Sequence, residues 1–200
     1  RLYMSYMFSS CLKIMNLNLL KFNTTLVKNM SYMFGFLKLT SLDLSTFDTK
    51  NVRDMSGMFR SCSNLIDLRV SFFDTSNVEN FRNMFYECKS LKSFDFSSFN
   101  TEKAEDMRGM FCGCSSLESL DLSNFNTKTV KDMSSMFSGC SNLTYLNVFS
   151  FDTSKVTDMS NMFANCQNII NFDLKNFDTS EVEYMTNMFN NCSEAEIIDV

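Results

Sequence analysis

Cysteine is the residue type in this chain with the widest chemical range, and its spacing is regular. Cys11, Cys62, Cys88, Cys114, Cys140, Cys166 and Cys192 fall on one 26-residue series, and only Cys112 stands off it. Such a ladder could be a disulfide framework, a metal site or a column of thiols packed as small apolar residues. The spacing follows a repeat rather than the Cys-x-x-Cys rhythm of metal chemistry, and Cys112-x-Cys114 has no partner ligands nearby in sequence. The ladder is therefore expected to be buried and reduced. Bridging between neighbouring rungs would need a Cβ approach that helix-side positions rarely provide. The chain contains no His, Pro or Trp. Without His, Ser-His and Cys-His nucleophile pairs and His-ligated metals are excluded. With 5 Gly, a phosphate-cradling loop has little material. No catalytic residue, metal or cofactor is expected, and the chain reads as a non-enzyme.

Carboxylates form a second series. Asn18, Asp43, Arg69, Asp95, Asp121, Asn147, Asp173 and Asp199 recur at one repeat position. Asp95 and Asp121 set like charges side by side, which repel. The series is either a stripe for a cationic ligand or a solvated polar face. Asp48, Asp74, Asp152 and Asp178, with Asn100 and Asn126, suit turn capping better than calcium ligation. Two flanking rows are mostly small and polar: Ser41, Asp67, Ser93, Ser119, Tyr145, Asn171, and Ser45, Ser71, Ser97, Ser123, Phe149, Lys175. Tyr145 and Phe149 break both rows in one repeat, on either side of Asn147, and exposed aromatics of this kind make binding anchors. Tyr145, Asn147 and Phe149 are thus the leading candidates for partner contact. Arg69, Asp95 and Asp121 are secondary, Arg69 because a lone exposed charge among aspartates is screened. Asparagine sequons stand at Asn23, Asn29, Asn142 and Asn191.

The elements that must position these residues are set by the same period. Met-Phe pairs begin at Met7, Met33, Met58, Met84, Met110, Met136, Met162 and Met188, 26 residues apart except for one interval of 25. A fixed period of this length signals a solenoid or array rather than a closed globule. Residues 1–200 read as one array of about eight units. In the third unit, Leu42-Asp43-Leu44 alternates as a half-buried strand does. Asp48-Thr49 suits a turn or helix N-cap. Val52, Met55, Met58, Phe59 and Cys62 then follow at the offsets of one helical stripe, with Asp54 placed for the positive end of a helix dipole. The apolar strand dyads run Leu17/Leu19, Leu42/Leu44, Leu68/Val70, Phe94/Phe96, Leu120/Leu122, Leu146/Val148, Phe172/Leu174 and Ile198/Val200. The fold class predicted is an α/β repeat: a right-handed solenoid with a parallel sheet on one face and short helices on the other. The helices are expected near 53–61, 79–87, 105–113, 131–139, 157–165 and 183–191. An all-β solenoid accommodates the strands but not, on this reading, the Met-Phe-Cys stripe.

The repeat Asp-Leu-Ser-x-Phe-Asp-Thr-(Ser/Lys)-x-Val-x-Asp-Met-Ser-x-Met-Phe-x-x-Cys-x-x-Leu, as in residues 43–65 and 121–143, resembles the 26-residue repeats of the BspA-like leucine-rich-repeat surface proteins. These include mycoplasma-type lipoproteins. The resemblance covers essentially the whole chain. It implies a leucine-rich-repeat-like solenoid at an extracellular or cell-surface location, with adhesion to a protein or glycan as its role. The alternative is a structural spacer or stalk with no ligand of its own. The net charge of −5 is mild and its signs are interspersed, so no nucleic-acid footprint is present. No run reaches the 18 or so apolar residues of a membrane span. The chain opens mid-repeat at Arg1-Leu2-Tyr3-Met4 and closes on Ile198-Asp199-Val200, without the polar caps that solenoids need, so a fragment truncated at both ends is expected.

Overall fold

A computed structural model describes residues 2–200. Arg1, the first position of the expected array, lies outside the described residues. Each 26-residue unit forms one coil, and successive coils stack through two backbone ladders.

Short strands pair in parallel, and three of the four pairs make up the first ladder. β1 (Leu2–Tyr3) pairs with β2 (Val27–Asn29), β3 (Ser41–Asp43) with β4 (Asp67–Arg69), β5 (Ser119–Asp121) with β6 (Tyr145–Asn147), and β7 (Asn171–Asp173) with β8 (Ile197–Asp199). Register is direct in the last three pairs: Leu42 faces Leu68, Leu120 faces Leu146 and Phe172 faces Ile198. These three pairs lie on the predicted dyads. The pair β1–β2 does not; it belongs to the opposite side of the coil, at the position that continues through Asp54. The expected continuous sheet is therefore broken. Residues Leu17–Leu19 and Phe94–Phe96 form no strand, and no pairing links β4 to Ser93–Asp95, Ser93–Asp95 to β5, or β6 to β7.

The second ladder corrects the helix prediction. None of the six segments predicted as helices is helical; each is a run of turns. Within one coil, the N–H groups of Met58, Arg60 and Cys62 donate to the carbonyls of Met55, Gly57 and Phe59, each three residues back. The alternate N–H groups of Met55, Gly57, Phe59 and Ser61 donate instead to Asn80, Arg82, Met84 and Tyr86 of the next coil, at 2.6–3.0 Å. Both sets of donors are thus satisfied without an α-helix. Isolated parallel bridges from Asn29 through Asp54, Asn80, Asp106, Asp132 and Asp158 to Tyr184 mark this ladder as unbroken.

The backbone reason lies in two rows of left-handed residues. One row is Tyr6, Tyr32, Gly57, Asn83, Gly109, Ser135, Asn161 and Asn187; the other is Ser10, Phe36, Ser61, Glu87, Gly113, Gly139, Asn165 and Asn191. All have φ between 54° and 75°, which an α-helix does not allow. Gly and Asn dominate because they enter this region at least cost. Turns of four residues placed end to end return the first and last residue of each to the same side. Apolar offsets of 0, 3, 4 and 7 therefore fit this turn ladder as well as they fit a helix. The alternative of a solenoid without helices is the closer description.

The buried side chains are those the period indicated. Met55, Met58, Phe59, Cys62 and Leu65 are buried, as are their counterparts through the central coils. Phe8, Phe34, Phe59, Phe85, Phe111, Phe137, Phe163 and Phe189 form one continuous stack, with centroids 5.5–5.9 Å apart and planes within 16° of parallel. In the short coil Leu37 takes the cysteine position, and the missing residue lies before Leu39, since Leu37-Lys38-Leu39 replaces Cys-x-x-Leu.

A buried hydroxyl column went unread in the sequence. Thr24, Thr49, Thr75, Thr101, Thr127 and Thr153 are all buried. Each hydroxyl donates to the backbone carbonyl of the Asp or Asn one coil ahead and accepts that residue's own N–H, at 2.7–3.0 Å.

Candidate recognition face

The outward-facing strand positions are built on Asx turns. Oδ1 of Asp43, Asp95 and Asp121 accepts the N–H of Ser45, Ser97 and Ser123 at 2.9–3.0 Å, and Asn147 does the same for Phe149 at 3.2 Å. These serine contacts hold the carboxyls of Asp43, Asp95 and Asp121 below their usual range, so all three are ionised at neutral pH. The predicted capping residues behave as expected: Asp48, Asp74, Asn100, Asn126, Asp152 and Asp178 each accept an N–H two residues on. Asp54 does likewise with Ser56, and this turn replaces the helix start assigned to it.

The interruptions of the strand ladder open clefts on this face. Between β6 and β7 lies a cleft of about 240 Å³ lined by Tyr145, Leu146, Asn147, Val148, Phe149 and Asp173. The structure thus brings Tyr145, Asn147 and Phe149 around one opening, with Tyr145 54% and Phe149 80% exposed. Asp121 joins them through a 3.0 Å hydrogen bond from Nδ2 of Asn147.

Arg69 and Asp95 sit elsewhere. They line a larger cleft, about 510 Å³, between β4 and Ser93–Asp95. Arg69 lies 3.7 Å from both Asp43 and Asp67, so it is a shared counter-ion rather than an isolated charge. The rim of this cleft carries Phe72, 71% exposed, and Ile66, 63% exposed. Neither was singled out from sequence. The signal for Phe72 was present, because the same repeat position holds Thr46, Ser98, Asn124, Ser150 and Asn176. A third opening, lined by Phe94–Ser97 with Asp121, Ser123 and Asn124, separates Asp95 from Asp121.

The cysteine ladder is buried only in part. Cys62, Cys88, Cys114, Cys140 and Cys166 are buried and unbridged, whereas Cys11 is exposed and Cys192 half-buried. Each buried thiol donates to the carbonyl of a Phe in the preceding coil at 3.1–3.2 Å, as Cys62 does to Phe34 and Cys114 to Phe85. Burial pushes the Cys62 and Cys114 thiols up to about 12 and the half-buried Cys112 up to about 11. Sequon Asn29 is engaged, donating from Nδ2 to Asp54, while Asn142 is exposed.

A leucine-rich repeat protein from Bacteroides ovatus is similar in structure, at 16% sequence identity and a TM-score of 0.29, over 96% of this chain and 64% of that one. This chain thus spans less than two thirds of that protein's length. The fold is defined by the two backbone ladders described above. No curated protein matches the chain. A family model described as "Mycoplasma protein of unknown function, DUF285" matches residues 2–119, 35–143 and 111–197, overlapping spans that take in nearly every coil. The chain belongs to the DUF285 family.

Proposed function

We propose that this chain is a non-catalytic recognition module that presents its strand face to a protein or glycan at a cell surface or matrix. The observation that carries the reading is the coincidence of exposed aromatics with breaks in the strand ladder. Tyr145 and Phe149 stand at the opening between β6 and β7, breaking outward rows in which Ser, Asp and Asn predominate. Large rings beside a cleft supply contact area at little entropic cost, which is how binding anchors work. The surface location is supported by the resemblance to BspA-like surface repeats and by the Mycoplasma description of the family.

The test is the Tyr145→Ala/Phe149→Ala double variant, checked for an unchanged unfolding midpoint and then assayed against cell-surface and matrix ligands. Losing a true aromatic anchor costs about 2 kcal/mol, roughly thirtyfold in affinity. Unchanged binding with an intact fold removes this cleft as the site.

A spacer is the second reading. The unbroken turn ladder and the eight-ring Phe stack favour it, since both run the length of the array without regard to any ligand. A spacer shows no ligand-dependent shift in stability, whereas a binder gains stability as ligand saturates it.

A further inference from the structure

The cleft between β4 and Ser93–Asp95 has a chemistry distinct from the one at Tyr145 and Phe149. Its floor is backbone whose ladder is missing: no N–H or C=O of Ser93, Phe94 or Asp95 makes a hydrogen bond to either neighbouring coil. Its walls are apolar, with Ile66 and Phe72 exposed at the rim and Phe94 half-buried. Its charges do not balance. Asp43, Asp67 and Asp95 line it against Arg69 alone; Arg69 is held between Asp43 and Asp67, and among the described residues no cation lies within ion-pair distance of Asp95. Hydrogen-bond acceptors therefore outnumber cationic donors inside an opening with aromatic and aliphatic sides.

A neutral sugar would leave the excess negative charge unanswered, and an anionic one would be repelled. A basic side chain matches every feature. Its aliphatic stem lies along apolar walls, its charged head meets a carboxylate and free carbonyls, and a ring face attracts it further. We propose that this cleft receives an arginine or lysine side chain from an extended segment of a partner protein, with an apolar neighbour of that residue packing on Phe72 and Ile66. The inference rests on the recognition reading of the strand face but not on the Tyr145–Phe149 cleft.

The test uses the whole chain, isotope-labelled, at low ionic strength. The probe is an acetylated, amidated peptide Ala-Leu-Arg-Leu-Ala, and the control carries citrulline, which keeps the shape of arginine without its charge. The arginine peptide is expected to shift amide resonances at 66–72 and 93–97 and the citrulline peptide to leave them in place. Phe72→Ser puts a small polar residue where Thr46, Ser98 and Ser150 already stand, and Asp95→Asn copies the Asx turn of Asn147, so both variants keep the fold. Phe72→Ser should weaken the arginine peptide about tenfold and Asp95→Asn about threefold, while Tyr145→Ala/Phe149→Ala leaves it unchanged. Equal binding of the citrulline peptide, shifts spread over every acidic position of the face, no shift at millimolar peptide, or indifference to both cleft variants would each overturn the proposal. Loss of arginine-peptide binding in Tyr145→Ala/Phe149→Ala alone would move the basic-residue site to the other cleft. Loss of matrix binding in that variant with the peptide result intact would leave both readings standing, as separate sites.

Discussion

Replacing Thr101 by valine should be among the most damaging isosteric changes in the chain. Thr101 is fully buried, and its hydroxyl donates to the carbonyl of Asn126 at 2.9 Å while accepting the Asn126 N–H at 2.9 Å. Valine keeps the shape and removes both bonds. It leaves one backbone donor and one acceptor orphaned beneath a coil, at roughly 1–3 kcal/mol each. The extra methyl returns a fraction of that, so a net loss of about 3 kcal/mol is expected. Thr101→Ser is the control: it retains both bonds and deletes one methyl, for about 1 kcal/mol. Urea unfolding followed by circular dichroism and tyrosine fluorescence reads both, since the chain has 6 Tyr and no Trp. A central coil is the right place, because each coil is stabilised by both neighbours and the outer ones open first. A valine variant as stable as the parent, or a serine variant worse than valine, would refute the hydroxyl column as a structural tie.

The remaining predictions concern the core. Phe111 stacks 5.8 Å from both Phe85 and Phe137, and Phe111→Ala should cost about 3–5 kcal/mol by opening a cavity in the ring stack; an unfolding series that shows less than about 1 kcal/mol would mean the stack is loosely packed. Thiol labelling of native protein near neutral pH should modify Cys11 at once and Cys62, Cys88, Cys114, Cys140 and Cys166 only with denaturant. The pH dependence follows from the raised thiols. The folded values of about 12 for Cys62 and Cys114 exceed the ordinary 9.0, so their contribution is complete below pH 9 and is lost as pH rises toward 12. That loss is about 1.4 kcal/mol per pH unit for each such group, and a stability profile flat from pH 8 to pH 11 would contradict it. The lowered carboxyls of Asp74, Asp152 and Asp178, hydrogen-bonded by Ser76, Ser154 and Ser180, act in the opposite direction: their support is present above the ordinary carboxylate range and lost as pH falls below it.

What was legible in the sequence was whatever depends only on which residues recur. The period located the coils, the buried Met, Phe and Leu positions, the Asx turns and the three strand pairs on Leu42, Leu120 and Phe172. What was not legible depends on what the backbone does between those positions. Inward offsets of 0, 3, 4 and 7 are shared by a helix and by consecutive turns, so Met55, Met58, Phe59 and Cys62 could not decide between them. The deciding residues were Gly57, Asn83, Gly109 and Gly139, whose type reflects a left-handed backbone. Thr101 and its counterparts were read as part of a turn because a hydroxyl that bridges to the next coil looks, in one repeat, like one that caps its own. The face candidates divided in the same way. Tyr145, Asn147 and Phe149 came together because Tyr145 and Asn147 lie in β6 and Phe149 follows directly in the Asx turn of Asn147. Arg69, by contrast, reads as a lone charge in sequence, because its partner Asp43 is brought beside it only by the pairing of β3 with β4, although Asp67 stands two residues before it in β4. The breaks in the strand ladder follow from no single residue, and they are what open the clefts.

The sign of the stability change in Gly139→Ala tests the turn ladder most directly. Gly139 has φ of +75°, and a Cβ placed there would lie 3.4 Å from the Gly113 Cα, in near-ordinary contact, so the result reports backbone conformation rather than a clash. In a helix, alanine for glycine stabilises by up to about 1 kcal/mol. In the left-handed position alanine costs about 1–2 kcal/mol. The account predicts a lower urea midpoint for Gly139→Ala; a higher midpoint, accompanied by a gain in helical circular dichroism, would contradict it.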